Sequence, residues 1–326
     1  MNKIITYFIC LGLLVFSFSS VASATLNNSV GIKEIGANDI DLSQRQSRTR
    51  WLVGGYVLAT ALYGYSSWWG KDVEKHRFTE DGQLYTETVS NRTSTFRVNN
   101  EGWFEEETPN GGADKFGHAF SFYVSTRLMT KGFQWAGYDH TTAAKMAGIT
   151  SGAVSLAVEV LDGYTVEYGF SKEDLVMNLA GISFATWLEL EPEWDDVFDF
   201  RFKYWRSDDA KRLGETDPVS DYSGQTYLLI TKASGFKSLR DNPWLRYLEL
   251  AVGYGSRGYQ PNPGKYEDTQ PKKRFLYYGL SINLSQILTD TVFRHNTTPS
   301  NTQKITTGVL EYLQMPGTAL LFDYKF

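Results

Sequence analysis

Cysteine is nearly absent, and Cys10 is the only one in the chain. It lies inside an apolar N-terminal run, so a chain trimmed of that run has no thiol. Disulfides, thiolate metal sites and cysteine nucleophiles are thereby excluded from the mature protein. Positive charge is not in excess either. Lys and Arg number 32 against 37 Asp and Glu, for a net charge of −5, so the broad basic footprint of a nucleic-acid binder is missing. No G-x-S-x-G nucleophile elbow occurs. Gly111-Gly112 is not followed by the Lys-Ser/Thr of a phosphate-cradling loop. There is no internal repeat and no low-complexity tract. Trp51–Trp69 is nearly long enough to span a bilayer, but Gly54, Gly55 and its many aromatics interrupt it, and it reads equally as a buried or interfacial helix.

What is present is a chain of 326 residues, 42% hydrophobic and 15% aromatic. That is enough for a buried core in one large or two modest domains. Residues 1–24 read as a secretory signal. Lys3 is the positive start, Ile4 to Phe18 the apolar run, and Val21-Ala22-Ser23-Ala24 a small-residue cleavage site. An uncleaved anchor helix is the alternative reading. Cleavage after Ala24 removes one lysine and no acid, which leaves a charge of −6. Cys10 sits within the run, whereas a lipid-anchored cysteine would sit at its end, so no lipid anchor is expected.

Residues 25–49 read as a polar arm. A helical bundle is expected over 50–215, with a polar insertion at 71–112 that carries candidate strands at Tyr85–Val89 and Thr93–Val98 and a turn at Asn91. Pro109-Asn110-Gly111-Gly112 closes the insertion as a strong breaker. Helical spacing marks Asp114–Lys131, Thr141–Leu161 and Lys172–Leu190, with Ser171 as N-cap of the last. Residues 216–326 turn to period two. Gln225–Thr231, Leu245–Tyr254 and Phe275–Leu284 read as strands, and Gln303–Met315 as a short helix. The chain ends on a strand that places Leu320, Phe322, Tyr324 and Phe326 on one face and Asp323 and Lys325 on the other. That ending fits either the closing strand of a partial or small outer-membrane barrel or a sheet over a soluble core. The fold class expected is α+β: a helical bundle followed by an antiparallel region.

The bundle helices carry narrow polar stripes. Asp114, His118, Ser121 and Ser125 share one face of the first. Gly148, Gly152, Ser155, Glu159 and Asp162 share one face of the second, and Asp174, Asn178, Gly181 and Ala185 one face of the third. Were the stripes to face one another, Asp114, His118, Glu159 and Asp174 would meet, flanked by Lys115, Asp162 and Asn178. Such acids must share protons, pair with His118 or Lys115, or bind a cation. Two chemical readings follow. Asp114, His118 and Glu159 suit a divalent metal that activates water, as in a hydrolase or transferase acting on an envelope lipid or glycan. Without metal, His118 beside Asp114 or Glu159 is an acid/base pair. The structural alternative is a polar network that fixes helix packing. Asp174 would then serve the helix start with Ser171. His76, His140 and His295 are expected to be solvated, and Asp195, Asp196 and Asp199 to form a solvated acidic patch. A third functional reading is a glycan-binding module using exposed aromatics. Trp51, Trp68 and Trp69 fit better as an interfacial belt.

Asp114-Lys115-Phe116-Gly117-His118, Glu159-Val160-Leu161-Asp162-Gly163 and Asp174 through Gly181 together resemble the YfiM-like envelope family. Asp221–Tyr227 and Gly253-Tyr254-Gly255 are similar to its longer members. The order of these motifs also resembles, more distantly, the four-helix VanZ-like membrane proteins. The first resemblance implies an outer-membrane or periplasmic lipoprotein of unknown function. Neither family brings a catalytic mechanism. The expectation is an exported protein at the outer membrane or on its periplasmic face, with membrane lipid or outer-membrane components as partners and no nucleic acid.

Overall fold

The computed structural model describes residues 40–78, 84–259 and 271–326. The signal segment at 1–24, Cys10 and most of the 25–49 arm lie outside the described residues. The chain divides into two compact units. One comprises residues up to Asn100 together with Ser121–Leu190; the other comprises Glu101–Phe120 and Glu191–Phe326. The class is α+β.

The first unit opens with α1 (Leu42–Gly64), which runs into a π-helical turn, Tyr65–Trp69. An antiparallel hairpin follows, β1 (Asp72–Phe78) against β2 (Leu84–Ser90). His76 therefore lies in a strand, not a loop. Of the candidate strand at Thr93–Val98, only its end is realised, as β3 (Val98–Asn99). Helices α2 (Ala113–Trp135) and α3 (His140–Asp162) come next. After them β4 (Phe170–Ser171) pairs in parallel with β3, and α4 (Lys172–Leu190) completes the unit. The three bundle helices fall where helical spacing put them. Asp139 caps α3 by accepting the Thr142 N–H at 2.9 Å, and Ser171 caps α4 by accepting the Asp174 N–H at 3.2 Å.

Val53 of α1, Phe122, Met129 and Phe133 of α2, Met146, Val154 and Val158 of α3 and Ile182 of α4 form a shared core, with Trp69 among them. The small-residue stripe works as a close contact at Gly148, where a Cβ would meet the Thr186 hydroxyl at 2.7 Å. Among the described residues α3 is the one helix long and apolar enough to span a bilayer by length and composition. However, 56% of its apolar window is buried inside the protein, as in a core helix. Trp68 and Trp69 are not an interfacial belt. Trp69 is buried and Trp68 packs on the core, while Trp51 is exposed.

Asp139 gives a direct test of the α3 start. Burial works against its charge, but the Thr142 hydroxyl and backbone N–H outweigh that and hold the carboxyl below its ordinary 3.8. A carboxyl lowered on folding stabilises above the unfolded pKa and ceases to do so as pH falls through the folded one. Asp139→Ala is expected to cost about 1 kcal/mol at pH 7. The gap to wild type should close below pH 3.8, read by urea midpoints across pH.

The second unit is built on a five-stranded antiparallel meander. Its strands, in spatial order, are β5 (Phe198–Tyr204), β6 (Gln225–Lys232), β7 (Leu248–Arg257), β8 (Lys273–Ile282) and β9 (Ala319–Lys325). Helices α5 (Leu284–Asp290) and α6 (Asn301–Tyr312) lie between β8 and β9 in sequence. The sheet is open, with β5 and β9 as its edges and no closed barrel among the described residues. β5 was not foreseen, although Phe198, Phe200, Phe202 and Tyr204 alternate with Asp199, Arg201 and Lys203.

The two faces of this sheet are inverted relative to a sheet over a soluble core. On one face Leu229, Leu250, Val252, Leu276, Tyr278, Leu280, Ile282, Leu320, Phe322 and Tyr324 are all exposed. Registers across β6 to β9 bring them side by side, as in Leu250–Leu280–Leu320 and Val252–Tyr278–Phe322. The opposite face buries Asp199, Arg201, Glu249 and Ser281 beside Leu228, Ile230 and Ala251. Part of the apolar face is covered from within the unit, where Phe120 packs on Phe200 and Phe202 of β5. There Phe116, on the N-terminal part of α2, stacks on Tyr254 at 5.1 Å and on Tyr227 at 6.2 Å.

The turn that launches α2 requires glycine. Gly111 has φ +60°, and a Cβ there would strike the Tyr259 ring, while the Gly111 carbonyl accepts the Tyr254 hydroxyl.

Candidate functional site

The sequence-predicted site residues fall on both units. Glu159, Asp162, Asp174 and Asn178 belong to the first, and Asp114, Lys115 and His118 to the second. Within the first unit, Glu159 on α3 and Asn178 on α4 meet. The Asn178 amide Nδ2 donates to Glu159 Oε1 at 3.0 Å, with both residues essentially sealed from solvent. Apolar Leu156, Val158 and Val160 flank Glu159 in sequence, which is why its burial was legible.

Asp162, one turn further along, bonds toward Trp69 and the loop after α3. Its Oδ1 accepts the Trp69 indole N–H at 2.6 Å. Its carbonyl accepts the N–H groups of Thr165 and Gly169 and the Thr165 hydroxyl. Asp174 starts α4 through its own backbone N–H to Ser171.

Two partnerships in this unit escaped sequence reasoning. Asn91, expected in a turn, is fully buried. Its Oδ1 accepts the N–H groups of Val166 and Glu167 at 3.1 and 2.9 Å, and its Nδ2 donates to the Trp68 carbonyl at 3.0 Å. It therefore staples the polar insertion to the loop after α3. His140 is exposed as expected, yet it also sets Nε2 at 2.6 Å from the Glu189 carbonyl, while Arg127 Nε lies 3.1 Å from the Glu189 carboxylate. These links tie the first turn of α3 and the middle of α2 to the end of α4.

Within the second unit, Lys115 is completely buried. Its ammonium bonds the Glu101 carboxylate and lies 3.1 Å from Asp114 Oδ2. The pairing of Asp114 with Lys115 was among the expected outcomes; Glu101, 14 residues upstream, carried no sequence signal. His118 is half-buried one turn beyond Asp114.

A larger charged network lies on the covered face of the sheet and was not anticipated. Arg201 forks onto Glu249, with Nη1 and Nη2 each 2.8 Å from a carboxylate oxygen. Its Nε donates to Asp199 at 3.0 Å and Nη1 to Gln314 at 3.2 Å. Lys232 completes the set by donating to Asp199 at 2.6 Å. Burial alone would push the Arg201 guanidinium toward neutrality, but Asp199 and Glu249 hold it charged. Asp199 is thus part of an internal ion-pair network, which corrects its assignment to a solvated acidic patch; Asp196 alone of the three is exposed. The Asp221–Tyr227 motif is also structural. Asp221 accepts the Tyr204 hydroxyl at 3.1 Å and the Ser207 N–H at 2.8 Å. Ser223 exchanges hydrogen bonds with the Tyr259 backbone.

Residues 100–190 match a protein family described as "Predicted periplasmic lipoprotein (DUF2279)". The matched span holds α2, α3 and α4 and every residue of the three polar stripes. No curated protein and no solved structure matches the chain. The family description supports an exported envelope protein of periplasmic location, with no established activity.

Proposed function

We propose that the chain is a non-catalytic component of the outer membrane, and that the polar residues of its family-matched helices fix helix packing. The Glu159–Asn178 bond carries this reading, because a buried carboxylate held by an amide from the neighbouring helix has the partner that a structural network demands. Asp162 bonded to the Trp69 indole and Asp114 paired with Lys115 follow the same pattern. The outer-membrane location is supported by the exposed apolar face of the C-terminal sheet and by the resemblance of Asp114–His118, Glu159–Gly163 and Asp174–Gly181 to the YfiM-like family.

Two measurements test it. Glu159→Ala strands the Asn178 amide and is expected to lower the envelope level of the protein several-fold, since about 1–2 kcal/mol suffices for that. Glu159→Gln keeps an acceptor oxygen in place and should retain most of the level. Normal abundance of both variants would contradict a packing role. On density-gradient fractionation the protein should run with outer membrane; recovery in the soluble periplasm would refute the location.

A further inference from the structure

We propose that the exposed apolar face of the C-terminal sheet is a seat for a phospholipid bilayer: acyl chains cover it, and anionic headgroup phosphates lie at its Arg274–Phe326 end. The proposal rests on the outer-membrane reading and deepens it by naming the surface and the lipid chemistry. The first support is the inversion of polarity. A sheet in water turns its apolar face inward and its charges outward. Here Arg201, Asp199 and Glu249 are turned inward and satisfied, while Leu320 is 66% and Phe322 55% exposed. Burying the charges and displaying the aliphatics lowers free energy only where the solvent outside is apolar.

The second support is the order of side chains along the face. Its middle is aliphatic, with Leu250, Leu280 and Leu320 abreast. Toward one end it becomes aromatic, at Tyr324 and Phe326, and there the Arg274 guanidinium lies over the Phe326 ring at 4.6 Å. At the same end of the sheet, on the side away from the apolar face, Arg257 stands opposite Lys273, and Lys325 opposite Phe275. A chain of net charge −5 thus gathers cations where its apolar face stops. An aromatic and cationic border on an apolar surface is the complement of a bilayer interface with anionic headgroups. The dimensions agree. On β8 the exposed apolar run from Leu276 to Ile282 covers about 20 Å at about 3.3 Å per residue, enough to cross the roughly 15 Å of hydrocarbon in one leaflet.

The test uses the purified mature chain, which has no cysteine after residue 24, so a single introduced cysteine reports on one place. Val252→Cys, labelled with an environment-sensitive dye, should shift to the blue with vesicles of phosphatidylcholine and phosphatidylglycerol. In flotation, Leu280→Asp combined with Phe322→Asp should weaken vesicle binding by more than about 100-fold, from about 1.5–3 kcal/mol per buried side chain. Both positions are exposed in the protein, so unchanged near-UV circular dichroism should accompany the loss. Lys325→Gln should weaken binding to the anionic vesicles about fivefold at low salt, the equivalent of about 1 kcal/mol, and leave neutral vesicles unaffected. If the wild type floats but the Val252 label does not shift and the double variant still binds, the seat is elsewhere and this inference falls, with the outer-membrane reading intact. If the label shifts without vesicles and the mass doubles in sedimentation, a second copy covers the face and the inference is again wrong. Failure of the wild type to float, together with soluble fractionation in cells, would overturn both.

Discussion

Replacing Arg201 by leucine is expected to destabilise the protein by about 3–5 kcal/mol, the loss typical of breaking a buried ion pair from one side. The side chain bridges Asp199 on its own strand to Glu249 on β7. Its removal leaves Glu249, 1% exposed, with a carboxylate turned into the sheet interior. Lys232 still reaches Asp199, so the uncompensated charge is Glu249. Adding Glu249→Leu should therefore recover a substantial part of the loss, because a buried pair replaced whole by apolar groups is often close to neutral. Urea midpoints for the two variants and the wild type decide it. Equal stability of Arg201→Leu and wild type would mean that water reaches the covered face.

Lys115→Met should cost a similar amount, about 3–5 kcal/mol. Its side chain is fully buried, and its ammonium is the cation set against both Glu101 and Asp114. Removing it leaves two carboxylates close together without that charge between them, so like-charge repulsion adds to desolvation. The pH dependence follows. Loss of the lysine should push these carboxyls up, so the variant should bind protons on folding and gain stability relative to wild type as pH falls from 7 toward 4. Adding Glu101→Gln should relieve part of the cost at neutral pH. A flat difference between variant and wild type across that range would show that the two carboxylates do not depend on Lys115.

The helices at 113–190 were legible because stripes repeat at helical spacing and breakers bound them: Pro109–Gly112, Gly137–Asp139 and Asp162–Tyr164 each fall at a helix end or between helices. β8 and β9 are legible for the parallel reason of alternation, and β6 as a short apolar run, Tyr227–Ile230, between polar residues. β5 was hidden by its own charges, since Asp195, Asp196 and Asp199 read as solvent-facing when taken without Arg201 and Lys232 to pair with. Alternation also separates two faces without telling which one the fold covers. The face with Leu320, Phe322, Tyr324 and Phe326 is readable from sequence, yet its exposure goes with a charged network turned to the other face of the sheet by other strands.

The candidate site shows the same division. Glu159 and Asn178 lie on the polar stripes of neighbouring helices, and their bond realises the facing that the stripes allow. Glu101 beside Lys115 and Asn91 beneath Val166 come from segments without periodicity. Such contacts are set by tertiary folding of a loop onto a helix, and no local spacing encodes them.

That the polar stripes are packing devices is tested most directly by a double-mutant cycle on Glu159 and Asn178. Glu159→Ala, Asn178→Ala and the double variant, compared by urea unfolding of the purified protein, should give a coupling of about 1–3 kcal/mol, as for buried hydrogen-bonded partners. A coupling near zero, with both single variants as stable as wild type, would contradict the account and leave the two residues free for another role.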